Sequence, residues 1–115
     1  MSAGGIRARV RAELTKEIAD VARRAEQLGY SRVFLPEHFL TPTAHVELSG
    51  NHYFDATTAQ AFVAGATSEI SIGSMVTILP LHNPVIAAKA IAPLDWLSGG
   101  RAQVTVGVGW LKEEY

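Results

Sequence analysis

The chain reads as an α/β protein in which a parallel sheet alternates with helices. Three observations lead there. Two runs rich in β-branched residues, 70–79 and 102–108, are bounded by proline or glycine. A shorter run of the same kind, 32–36, precedes them. Each run follows a stretch with helical spacing. The order is therefore helix, strand, helix, strand, helix, strand, and strands separated by helices pair in parallel through right-handed crossovers.

Within 10–28, Val10, Leu14, Ile18, Val21, Ala25 and Leu28 fall three or four apart and form one apolar helix face. Gly29 supplies the left-handed residue that ends such a helix. Residues 32–36 are the first strand, closing at Pro36-Glu37-His38. Residues 40–54 read as loop. Asp55 is an N-cap for a helix over 56–67, because its carboxylate can accept from the unpaired N–H groups of the first turn. The second strand, 70–79, closes at Pro80. Asn83-Pro84 combines an N-cap with proline at the first helical position. That helix runs to about Leu97, and Pro93 inside it predicts a kink or a split. Gly99-Gly100 stops it, and the third strand, 102–108, opens into Gly107-Val108-Gly109-Trp110. Asp95 and Arg101 flank the turn and are expected to tie helix to strand, by an ion pair or by backbone hydrogen bonds.

With 115 residues, 48% of them hydrophobic, the chain suffices for one domain, 1–115, with its own core. A net charge of −1 leaves no electrostatic footprint for nucleic acid. Arg7, Arg9 and Arg11 read as a solvated helix face. Without cysteine there is neither a disulfide framework nor a thiolate metal site. No apolar run reaches membrane length, and no signal-peptide core opens the chain. The expectation is a cytoplasmic protein with no membrane partner.

Three motifs in order carry a family resemblance. Residues 28–39 (LGYSRVFLPEHF), 72–84 (IGSMVTILPLHNP), and 94–101 (LDWLSGGR) with Gly107-Val108-Gly109-Trp110 resemble the bacterial luciferase-like monooxygenases. The resemblance covers about 15–115. It implies the N-terminal portion of a (β/α)8, TIM-type barrel and oxidoreductase chemistry with reduced FMN or the deazaflavin coenzyme F420. That chemistry is either monooxygenation or hydride transfer on a small-molecule substrate. A complete barrel needs roughly 250 residues, and its phosphate site commonly follows the seventh and eighth strands. The chain is therefore read as a truncated barrel domain, active as a homo-oligomer or when a partner chain completes it. The alternative is an inactive fragment or assembly module that keeps the fold pattern.

Ligands in such folds sit at the carboxyl ends of the strands. By resemblance His38 is the catalytic site histidine, with Glu37 beside it. An imidazole titrates near neutrality and can exchange a proton with a reduced ring. The resemblance also places a bulge with a non-proline cis bond at Met75–Val76, backing the ring. Gly107 and Gly109 lack the Cβ that would hold a flat ring off the backbone. Trp110 stacks on the ring or caps the barrel. Lys112 stands where some deazaflavin relatives carry a catalytic glutamate, and Glu113 and Glu114 are out of register with it. A metal site from His38, His45 and His52, near Glu37 and Glu47, is the competing reading; these spacings do not match a helical two-histidine motif.

Overall fold

The computed structural model describes residues 3–49 and 53–115. Its elements are α1 (Ala3–Gln27), β1 (Arg32–Leu35), α2 (Val46–Ser49), α3 (Ala56–Ala66), β2 (Ser71–Ser74), β3 (Thr77–Ile78), α4 (Pro84–Leu97), β4 (Ala102–Gln103) and β5 (Val106–Gly107). Turns of 3₁₀ helix lie at Thr43–His45, Leu79–Leu81 and Lys112–Glu114. The expected loop at 40–54 thus carries a 3₁₀ turn and one helical turn.

Every strand pair is parallel. β2 lies between β1 and β4, with Val33 opposite Ile72 and Gly73 opposite Gln103. β3 pairs with β5, Thr77 opposite Val106. The expected second and third strands are therefore each broken into two short pieces. From Gly73 to Thr77 is four steps along the chain, while their partners Gln103 and Val106 are three apart. One extra residue on the first strand is a bulge. Within it the Met75–Val76 bond is cis, as the resemblance implies.

α1 begins at Ala3, well before the expected start near residue 10. Its buried face also differs from the expected one. Ala19 and Ala22 are buried and Ile18 packs against the core, whereas Val21 and Leu28 are exposed. The small alanines let α1 approach α3 and the sheet closely. Side chains at Arg7, Arg9, Val10, Arg11 and Leu14 lie outside the described residues. The innermost residues are Ala22, Val63 and Ile72, lined by Ile18, Val33, Leu35 and Ala64.

The helix ends follow local chemistry. Asp55 accepts from Thr58 N–H at 2.8 Å and caps α3. Asn83 accepts from Val85 and Ile86 N–H and caps α4. α1 and α4 both stop in the double turn of a Schellman motif. Gly29 bonds back to Glu26 and Tyr30 to Ala25; Gly99 bonds back to Trp96 and Gly100 to Asp95. Gly29 and Gly99 carry the positive φ that this motif needs, 85° and 74°. Pro93 does not split α4, which runs unbroken through it. Proline there costs one intrahelical bond, the one Lys89 C=O would accept.

Arg101 accounts for the helix-to-strand tie. Its guanidinium donates to Ser98 O (2.6 Å), Thr67 Oγ1 and O, Ile70 O and Ala64 O. Asp95 accepts from Ala102 N–H instead of pairing with Arg101. Backbone hydrogen bonds are therefore the tie. Glu26 performs a matching task from α1, accepting from Ser68, Glu69 and Ile70 N–H at 2.6–3.1 Å.

The N–H of Glu69, then that of Ile70, holds the Glu26 carboxyl below the ordinary glutamate value of 4.5. A depressed folded-state value means stabilisation that is complete above the unfolded value and is lost as pH falls through the folded one. Glu26→Gln is therefore expected to lower the urea midpoint at neutral pH. The gap to the native chain should close as pH drops below 4.5. A gap that persists unchanged at about pH 3 contradicts this account.

Candidate active site at the strand ends

β1 delivers Pro36, Glu37 and His38 to the carboxyl edge of the sheet. The last backbone link there is Met75 N–H donating to Leu35 C=O at 3.0 Å. Beyond it the Glu37 side chain takes over. Glu37 is buried; its Oε2 accepts from Ile78 N–H at 2.6 Å, and His82 Nε2 lies 3.0 Å from both its oxygens. Glu37 thus joins the β1 end to β3 and to the segment leading into α4.

His38 turns to a different partner. Its Nδ1 lies 3.0 Å from Glu114 Oε1, which also accepts Phe39 N–H at 2.8 Å. The Glu114 side chain is 1% exposed, and its Oε2 is buried with no hydrogen-bond partner among the described residues. The His38 ring meets Tyr53 edge-on at 4.7 Å and Trp110 at 6.3 Å; Trp110 also meets His45 at 5.9 Å. A cleft of about 190 Å³ is lined by His38, Glu37, Phe39 and Tyr53. A cavity of about 260 Å³ lies against Glu37, His82, Thr77 and Gln60.

Met75 and Trp110 are exposed at these strand ends, 60% and 72%. The two glycines are packed by neighbours. A Cβ on Gly107 would lie 2.5 Å from Val76 Cγ2, and one on Gly109 would lie 2.9 Å from Ile78 Cγ2. So β5 needs glycine to let the bulged strand sit against it. Gly109 also has a φ of +73°, and Tyr115 OH donates to Val108 C=O beside it.

All the expected site residues lie at or just past the carboxyl ends of strands: Glu37 and His38 after β1, Met75 and Val76 after β2, and Gly107, Gly109 and Trp110 at and after the end of β5. Lys112 is exposed. The carboxylate that reaches the site is Glu114, two positions further on. Spacing from the glycine pair missed it, because a 3₁₀ turn after Leu111 sets its direction. Of the alternative metal ligands, His52 lies outside the described residues. Among the described residues no three histidine, aspartate or glutamate side chains converge to hold a metal.

The parallel α/β sheet thus carries a histidine–carboxylate pair at its carboxyl edge. The chain belongs to the luciferase-like monooxygenase family, whose model matches residues 2–115. It is 29% identical over 103 residues to the alkanal monooxygenase alpha chain of Photorhabdus laumondii, covering 90% of this chain and 27% of that one. It is 35% identical over 94 residues to the F420-dependent glucose-6-phosphate dehydrogenase of Kineococcus radiotolerans, covering 81% and 27%. Among solved structures, monooxygenase RslO1 from Streptomyces bottropensis superposes with a TM-score of 0.73 at 26% identity, covering 87% of this chain and 29% of that one. The chain spans 26–38% of the length of these and similar curated relatives. Its fold is that of the N-terminal portion of a (β/α)8 barrel. No helix among the described residues is long and apolar enough to cross a membrane.

Two glycine substitutions test the packing of this wall. Gly107→Ala forces a methyl into Val76 and is expected to destabilise by about 1–3 kcal/mol. Gly65→Ala, in α3 with open space around it, should stabilise by roughly 0.5–1 kcal/mol. Urea unfolding of both variants checks the pair. Equal effects would mean that Val76 does not rest on Gly107.

Proposed function

We propose that this chain supplies one wall of a reduced-flavin or deazaflavin site in an oxidoreductase acting on a small molecule. The observation that carries this is the His38 imidazole beside the exposed Trp110, ring centroids 6.3 Å apart, at the carboxyl end of the sheet. An exposed aromatic face beside a proton-exchanging group suits a flat redox ring. The relatives support both cofactors, since one is a monooxygenase and the other F420-dependent.

The residues present fit such a group. Met75, Val76 and Trp110 would hold a ring face, with Val76 supported by Gly107 and with Gly109 shaping the turn to Trp110. Reduced FMN or F420, when bound, supplies two electrons for oxygen insertion or for hydride transfer. His38 takes up or returns a proton at its imidazole. Glu37, engaged by Ile78 N–H and His82, acts as a positioning residue that fixes the backbone on which His38 stands.

Fluorescence titration of the 115-residue chain with FMN, and separately with F420, tests the reading. Saturable micromolar binding of one of them is expected and names the cofactor. Absence of saturable binding by either contradicts the proposal and favours the inactive assembly module.

We also infer self-association. Val104, Val106 and Val108 are exposed in and around β5, and α4 exposes Trp96 and Leu97 by more than 80%. Large apolar side chains left uncovered on two elements favour an interface. Sedimentation at micromolar concentration should show a dimer or larger; a monodisperse monomer contradicts it.

A further inference from the structure

We infer that Glu114 is the positioning residue of His38: it holds the imidazole in its Nδ1–H tautomer and leaves Nε2 as the proton-accepting nitrogen. An ionised carboxylate only accepts hydrogen bonds. Glu114 Oε1 already accepts Phe39 N–H at 2.8 Å, and the same oxygen lies 3.0 Å from His38 Nδ1. A proton must sit between Oε1 and Nδ1. An ionised Glu114 has no proton to give, so the proton belongs to the ring. Two bonds to one oxygen, from the His38 ring and from the next backbone N–H, fix both ring and chain.

A purely structural role explains Glu114 less well. Its side chain is buried while Oε2 has no hydrogen-bond partner among the described residues. Leaving a buried polar atom unpaired costs roughly 1–3 kcal/mol. Stability alone would favour an apolar side chain at this position. The turn itself is anchored separately, by buried Leu111 and by Glu114 N–H donating to Leu111 C=O.

With its Nδ1 proton committed to Glu114, the neutral His38 ring presents Nε2 as an acceptor to whatever it faces. What Nε2 faces rests on the proposed ring site; the tautomer does not. Long-range ¹⁵N–¹H correlation spectra of the histidine rings read the tautomer directly, with the His38 signals assigned by their loss in His38→Asn. The native chain is expected to show His38 protonated at Nδ1 and bare at Nε2. Glu114→Gln keeps a carbonyl acceptor for both donors and should retain that pattern. Glu114→Ala should release the ring to the Nε2–H form that free imidazole favours in water. An Nε2–H pattern in the native chain overturns the inference, as does an unchanged Nδ1–H pattern in a folded Glu114→Ala. If Glu114→Ala unfolds, the native chain and Glu114→Gln decide, and loss of the Nδ1–H pattern in the latter overturns it. These spectra need no cofactor. An Nδ1–H pattern with no cofactor binding leaves this inference standing while the proposed function falls.

Discussion

Backbone pairing between β1 and β2 stops at Leu35 and Ser74, yet the segments beyond them stay joined through the carboxylate of Glu37. The bulge at Met75–Val76 turns Ile78 N–H away from β5 and toward β1, where no strand carbonyl remains to receive it. A buried N–H without an acceptor costs about 1–3 kcal/mol, so an acceptor is required. Glu37 Oε2 is that acceptor, and His82 supplies the second donor that a buried carboxylate needs. The placement of His38 depends on this link, because His38 is the next residue.

The opposite edge of the sheet is held by the same kind of device. Arg101 gathers carbonyls from the end of α3, the segment before β2 and the end of α4. Glu26 caps three N–H groups of that same segment from α1. Charged side chains thus clamp irregular backbone at both ends, while a small apolar core fills the middle. The clamps leave the outer surfaces of α4 and β5 apolar and uncovered, which fits a chain that forms one part of a larger barrel.

How legible each feature was depended on how local its cause is. Asp55, Asn83-Pro84, Gly29 and Gly99-Gly100 were readable because caps and left-handed stops are decided within four or five residues. The parallel pairing followed from the alternation of helices and strands alone. Val21 was misplaced because spacings of three and four fit two neighbouring faces of α1, and packing of Ala19 and Ala22 selects one. Pro93 predicted a kink or a split, and loss of a single bond does not split α4. The placement of His38 at the end of β1 and the cis bond at Met75–Val76 were legible because family motifs cover them. Glu114 and His82 were not, because a 3₁₀ turn and a loop carry them across more than 40 residues of sequence to their partners.

The central claim is that a side chain, Glu37, continues the sheet past the bulge and so sets the site. Amide hydrogen exchange at Ile78 tests it most directly. In the native chain Ile78 should be protected to about the level of Ile72, whose N–H is held by the Arg101 carbonyl. In Glu37→Ala that protection should vanish at Ile78 while Ile72 keeps its own. Rapid exchange of Ile78 in the native chain, or protection that survives removal of the carboxylate, would contradict the account.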